Sequence, residues 1–237
     1  MHQQLYNRKL KTVLNWSSGK DAALSYYLLQ QSSKYEVSAL LTTINKEQDR
    51  IVMHGVREEL LNIQADRIGL PLHKVYLPPA PDNESYNRMM AGTLEKFKEQ
   101  GIFTSAYGDI HLQDLKKYRE QQLATAGFKG IFPLWGMGSE AVVKSIINTG
   151  IEAVIICVNG NFLGKEFLGR KIDAALLADL PSDVDPCGEY GEFHTFVYNA
   201  PYFTAPIALQ YGDIVHKTYD GQDAGKGFYF MDVWAGT

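Results

Sequence analysis

The chain is poor in cysteine, with Cys157 and Cys187 the only two in 237 residues. So few thiols argue against a disulfide framework and against a structural zinc cluster. Long hydrophobic runs are missing as well, since no stretch approaches the roughly 20 apolar residues of a membrane-spanning helix. The first ten residues hold no apolar signal-peptide core, so the expectation is a cytoplasmic protein with no membrane partner. Positive charge is not in excess: 23 Lys+Arg stand against 27 Asp+Glu, a net charge of −4. That balance disfavours a nucleic-acid partner or a membrane-surface role. At 21% charged, 12% aromatic and 45% hydrophobic, the chain is too apolar to stay disordered and long enough to bury a real core. Two nucleotide motifs are absent: no Gly-x4-Gly-Lys-Ser/Thr occurs, and no Gly-x-Gly-x-x-Gly follows the first strand.

What is present is an alternation of periods. Residues 12–16 read as a buried strand, then comes a polar turn with a glycine, then a helix over 21–30. Strands over 37–44, 72–77 and 103–107 alternate with helical patterns around Val56, Leu60 and Ile63 and over 84–100, 113–125 and 139–148. Residues 78–82 read as a proline-rich loop, 130–134 as extended, and 151–158 as a strand covered on both faces. Beyond 159 come a helix over 171–179, a glycine-rich acidic stretch, and strands 207–219 and 227–234 around a turn at Asp220 and Gly221. The pattern predicts an α/β fold, with helices on both faces of a parallel sheet and a smaller α+β C-terminal unit. The expected division is 1–135 and 136–237.

The segment Ser17, Ser18, Gly19, Lys20 and Asp21 fills the first strand-to-helix turn. Glycine lets a phosphate approach the backbone, free N–H groups and the helix dipole attract it, and the serine hydroxyls and lysine add donors and charge. Ser and Asp also cap helices, and Gly is common in turns. The position of the segment favours the anion site, because open α/β sheets bind ligands at such turns. Gly108 and Asp109 end a strand of the same expected sheet and would face the same crevice, where Arg119 of the next helix could meet an anion. The densest polar stretch is Gly188, Glu189, Gly191, Glu192, His194 and Thr195. Its carboxylates suit a base or a Mg²⁺ ion beside phosphates, and His194 suits a proton carrier near neutral pH. An acidic surface turn is the plainer alternative.

The segment around residues 12–27 resembles the PP-loop of the ATP pyrophosphatase superfamily, whose members adenylate a substrate with loss of pyrophosphate. Ser18 stands where the middle glycine of that loop is usual, and Ala22 where its final serine is. Together with 108–120, 132–137 and 167–201, this segment resembles the diphthine–ammonia ligase family, in family order over most of the chain. Tyr190 replaces an asparagine usual in the last block. The resemblance implies a Rossmann-like, adenine nucleotide alpha-hydrolase type fold and an ATP-dependent, amide-forming ligase using Mg²⁺. Ser17, Ser18, Gly19, Lys20 and Asp21 would bind ATP and its pyrophosphate, and Gly108, Asp109 and Arg119 would line the nucleotide crevice. Gly188, Glu189, Gly191, Glu192, His194 and Thr195 would form the acceptor-substrate and catalytic part. The implied partners are ATP, ammonia and a carboxylate acceptor, protein-borne or small. The last block resembles the style of bacterial members, which have no diphthamide to make, so the acceptor need not be diphthine.

Two other readings remain open at this point. A non-catalytic nucleotide sensor is kept by Ala22, and a tRNA-thiolating PP-loop enzyme by Cys187 beside the candidate site, with Cys157 expected to be inert core. The tyrosines at 198, 202, 211, 219 and 229 and the tryptophans at 135 and 234 are expected to pack. The C-terminal strands are a candidate homodimer edge.

Overall fold

The computed structural model describes residues 8–47, 50–51, 55–78, 82–218 and 227–236. Residues 1–7, loop positions 79–81, Tyr219 and the expected turn at Asp220 and Gly221 lie outside the described residues.

The first strand, β1 (Leu10–Asn15), sends successive side chains to opposite faces, as a pleated strand must. Val13 enters one buried cluster and Leu14 another. Beside it run β2 (Tyr35–Asn45) and β4 (Leu72–Leu77) on one side, and β5 (Thr104–Ala106) and β6 (Lys129–Ile131) on the other. All four pairings, β4 with β2, β2 with β1, β1 with β5 and β5 with β6, are parallel. A short β3 (Arg50–Ile51) adds an antiparallel rung to the end of β2.

Helices cover both faces. Helices α1 (Lys20–Gln30), α2 (Glu58–Ile68) and α5 (Ser139–Thr149) bury Leu24, Leu60 and Val142 in the larger cluster. Helices α3 (Asn83–Glu99) and α4 (Gln113–Thr125) bury Phe97 and Leu123 in the smaller one. Their ends follow local chemistry. Gly69 stops α2 in a left-handed conformation, and the Asp82 carboxylate caps α3 by accepting from the Ser85 amide at 2.7 Å. The sheet grows from β1 first towards β4 and then reverses to β5. The reversal opens a crevice beyond the carboxyl ends of β1 and β5, where such sheets bind ligands. The expected parallel α/β sheet with helices on both faces is therefore present.

A second, wholly antiparallel sheet has the order β8 (Phe193–Asn199), β7 (Glu152–Asn159), β10 (Phe228–Ala235), β9 (Leu209–Lys217). The apolar run at 151–158 is β7, and its neighbours are antiparallel. It is covered on both faces because it is an inner strand whose residues join the core that also holds Leu14 and Leu24. One helix expectation shortens: 171–179 becomes α6 (Ala174–Asp179), capped by Asp173 accepting from the Leu176 amide at 2.8 Å. The extended stretch at 130–134 ends at Ile131 and turns through Leu134 and Trp135. Among the described residues no helix is long and apolar enough to cross a membrane.

A side-chain clamp beside β3 joins the two sheets. Asp232 of β10 accepts from Arg50 Nη2 at 2.9 Å and from Arg57 Nε at 3.0 Å, with a second bond from Arg57. These guanidinium bonds draw its carboxyl down to about 2.

Candidate active site

The turn between β1 and α1 is held from several sides. Ser18 has a φ of 71°, the left-handed region that a serine enters at a cost of roughly 1–2 kcal/mol. Its carbonyl accepts from the Val197 amide of β8 at 2.9 Å. Gly19 lies so close to β8 that a Cβ there would stand 3.3 Å from both Thr195 oxygens, O and Oγ1. The Lys20 amide donates to Thr195 Oγ1 at 3.1 Å. The strand carrying Thr195 thus forms one wall of the loop expected to bind phosphate.

Lys20 does not extend into open solvent. Only 2% exposed, its ammonium donates to Asp21 Oδ2 at 2.8 Å and to the Cys187 carbonyl. Burial, the largest single influence, would lower the lysine, but Asp21, Cys187 and Glu189 together outweigh it and raise it, so it stays charged. Burial pushes the Asp21 carboxyl up against that pull. Two polar atoms here, Ser18 Oγ and Asp21 Oδ1, are buried with no hydrogen-bond partner among the described residues. Buried polar atoms of this kind call for a partner, and both belong to the loop that should meet phosphate.

The segment after β5 packs directly on the start of α1. A Cβ on Gly108 would lie 3.0 Å from the Asp21 carbonyl carbon and 3.1 Å from the Ala22 nitrogen, which explains the glycine. Asp109 pairs with Arg119, Nε to Oδ2 at 2.8 Å, and the guanidinium lies 4.3 Å from the Tyr107 ring centre. Burial pushes the Asp109 carboxyl up, against Arg119. At the end of β1, Asn15 Nδ2 donates to Ser105 Oγ at 2.8 Å and to the Ala106 carbonyl at 2.9 Å, fixing the two strands where the sheet reverses.

The third segment closes the crevice. Gly188 (φ 67°) and Gly191 (φ 86°) bend the loop on either side of Glu189 and Tyr190. Glu189 Oε1 accepts from the Ile110 amide at 3.0 Å, tying this loop to the one after β5. Burial raises its carboxyl, and nearby Asp21 adds to the rise. Tyr190, 64% exposed, meets His111 at the rim, its hydroxyl 3.0 Å from Nε2.

The three sequence-predicted segments thus line one cavity of about 540 Å³. Ser17, Gly19, Lys20, Asp21, Gly108, Asp109, Arg119, Gly188, Glu189, Gly191, His194 and Thr195 are in its wall. Ser18 is buried behind it. Glu192 differs from its expected role: it is buried and accepts from the Asp185 and Tyr190 amides at 3.1 and 3.0 Å, so it shapes its own loop. His194 also differs. Burial, with the Lys20 charge, lowers it to about 4, which makes it a neutral imidazole near pH 7 and a poor proton carrier there. Sequence reasoning missed Asn15, Trp16, Thr42 and Thr43 in the wall. Their signal was available, since they stand at the carboxyl ends of expected strands. Tyr86 of α3, also in the wall, had none.

Among the described residues no group of three or more His, Cys, Asp or Glu side chains is placed to hold a metal ion. The donors present fit a cation carried by phosphates, for which one or two carboxylates such as Asp21 suffice.

This geometry can be set beside known proteins. A family model of the diphthamide synthase N-terminal domain matches residues 10–130, and one of the C-terminal domain matches 138–229. The chain belongs to the diphthamide synthase family. Membership makes it an ATP-dependent enzyme of the ligase type. Diphthine–ammonia ligase of Bos taurus is 24% identical over 193 residues, 73% of this chain and 71% of that one. The Danio rerio diphthine–ammonia ligase is 23% identical over 231 residues, 86% of this chain and 88% of that one. The Schizosaccharomyces pombe diphthine–ammonia ligase is 29% identical over 96 residues, 39% of this chain, and the chain spans only 16% of that relative. Among solved structures, the U34-tRNA thiolase NcsA from Methanococcus maripaludis with its [4Fe-4S] cluster aligns at 16% identity and a TM-score of 0.37. That alignment covers 60% of this chain and 57% of the thiolase, a likeness too slight to say anything of function.

Proposed function

We propose that this diphthamide synthase family member joins ammonia to a carboxylate acceptor at the expense of ATP. The observation that carries the reading is the meeting of the 17–21 loop, the Gly108–Asp109 turn and the 187–195 loop around one cavity. ATP would lie with its β- and γ-phosphates against the 17–21 loop at the start of α1, whose Ser17, Gly19, Lys20 and Asp21 line the cavity. A Mg²⁺ ion held through Asp21 would neutralise phosphate charge there.

An acceptor carboxylate oxygen then attacks the α-phosphorus, the bond to the β-phosphate oxygen breaks, and pyrophosphate leaves. Lys20 holds the 187–195 loop against the phosphate loop while this happens. Ammonia attacks the acyl carbon of the adenylate, AMP departs, and the amide nitrogen loses a proton. Glu189, its carboxyl raised by burial, is the crevice carboxylate suited to receive that proton. The relatives' names point to diphthine as one acceptor to try. A protein-borne acceptor and a small carboxylate are both compatible with an open crevice. We place the enzyme in the cytoplasm. A second copy would meet it along β9, where Tyr211, Ile214 and Val215 are exposed.

Sulfur insertion is disfavoured. Burial pushes both Cys157 and Cys187 up to about 12, and Cys187 Sγ donates to the Ser139 carbonyl at 3.2 Å. The deciding assay is pyrophosphate and AMP release from ATP with Mg²⁺ and ammonium, across diphthine-bearing elongation factor and a series of small carboxylates. Release that needs both ammonium and an acceptor supports the ligase. Tight ATP binding with no release on any acceptor would favour a nucleotide sensor.

A further inference from the structure

Helix α2 buries Leu60, Leu61 and Ala65 in the core, and among them lies a polar exception, Gln64, with no exposed surface. Its side chain makes three hydrogen bonds. Oε1 accepts from Trp16 Nε1 at 2.8 Å, while Nε2 donates to the Ser18 carbonyl at 3.2 Å and to the Val197 carbonyl at 2.7 Å. The orientation of the amide is unambiguous, because an indole N–H only donates and the two carbonyls only accept. Both donors and one acceptor site of the amide are therefore used.

These three partners are not scattered. Trp16 and Ser18 flank Ser17 in the phosphate loop, and Val197 lies on β8 two residues from Thr195, which accepts from Lys20. The Ser18 carbonyl receives two donors, the Val197 amide and Gln64 Nε2. It belongs to the one non-glycine residue with a positive φ among the described residues. A serine held in this conformation needs surroundings that over-determine it.

We propose that Gln64 is a positioning residue for the phosphate loop. It pins the peptide of Ser18 in the left-handed conformation, fixes Trp16 on the other side of Ser17, and ties both to β8. The loop N–H groups are then set for phosphate before ATP arrives, and binding requires little reordering. The inference rests on the reading of residues 17–21 as the ATP-binding loop.

The test is equilibrium binding of ATP, with Mg²⁺, to the full chain. Gln64→Leu keeps the volume and removes all three bonds, and it should raise the ATP Kd by about tenfold or more. Glycine adopts a positive φ without strain, so the same substitution in a Ser18→Gly background should raise Kd by less than about threefold. A general loss of stability would penalise both backgrounds alike. Gln64→Glu keeps Oε1 towards Trp16 but turns an acceptor on the two carbonyls. It should weaken ATP at least as much, and it takes the place of the leucine variant if that one does not fold. The proposal is overturned if either folded variant binds ATP like the unsubstituted chain, or if Ser18→Gly leaves the penalty undiminished. Failure of the unsubstituted chain to bind ATP would overturn the reading of the loop itself.

Discussion

The Lys20 amide and the Thr195 hydroxyl meet at 3.1 Å although 175 positions separate them in the chain. The bond joins the first turn of α1 to β8 of the second sheet, beside the bond from the Val197 amide to the Ser18 carbonyl. Thr195→Val keeps the shape and removes the acceptor. Losing a bond worth about 1 kcal/mol should weaken ATP roughly fivefold. Titration calorimetry of ATP against the two proteins measures this, and equal affinities would mean that the contact does not shape the phosphate loop.

Gly108 is closed in by backbone, which cannot move aside as a side chain can. Gly108→Ala would press its methyl group against the Asp21 carbonyl carbon and the Ala22 nitrogen. The expected cost is about 1–3 kcal/mol of stability, with weaker ATP binding because the N-terminus of α1 is displaced. Denaturant unfolding followed by circular dichroism reads the first effect. An alanine variant as stable as the parent would show that the close approach is relaxed in solution.

His194 gives the fold an acid-sensitive limb. Its folded value lies near 4, below the ordinary 6.5, so between these values the unfolded chain binds the proton and the folded chain does not. Stability is full above the ordinary value and falls as the pH drops through that window, by up to about 3 kcal/mol. His194→Gln cannot take a proton and should flatten this limb. Unfolding midpoints collected from about pH 7 down to about pH 4 would reveal it. Parallel slopes for the two proteins would rule the explanation out.

Both thiols should be slow to react while the protein is folded. With Cys157 and Cys187 raised to about 12 by burial, little thiolate exists near neutrality. Titration with a chromogenic disulfide should show two thiols after unfolding and almost none before. A fast native reaction at Cys187 would reopen sulfur chemistry at the crevice.

Much of the fold was legible because its signals are local. The period of the apolar residues marks β1, α1 and β2, and Gly69 ends α2 by its own conformational freedom. The turn between β1 and α1 was equally readable, since Ser17 to Asp21 lie together between a strand and a helix. Long-range pairing carries no such local mark. The run at 151–158 has the buried character common in parallel strands, and only its register with β8 and β10 reveals an antiparallel sheet.

The candidate site divides along the same line. Sequence placed Glu192 among the reacting carboxylates because acids and glycines cluster there, yet the Asp185 and Tyr190 amides turn it into its own loop. Glu189, three residues earlier, is the one that reaches the turn after β5. Spacing alone does not distinguish them, because the direction of each side chain depends on loop bends at Gly188 and Gly191. Gln64 had no signal at all, since one glutamine on a helix looks like any surface residue.

By itself, then, the amino-acid order determined an α/β sheet, a glycine-bearing turn after its first strand, and a family whose blocks occur in sequence. These follow from side-chain period, glycine freedom and motif order, which act over a few residues. Tertiary structure decided the rest: that Thr195 and Gln64 grip the loop between β1 and α1, that Lys20 is buried between two segments, and that His194 is held neutral. Each depends on desolvation and hydrogen bonding between residues brought together by packing, and these forces exist only once the two sheets share a core.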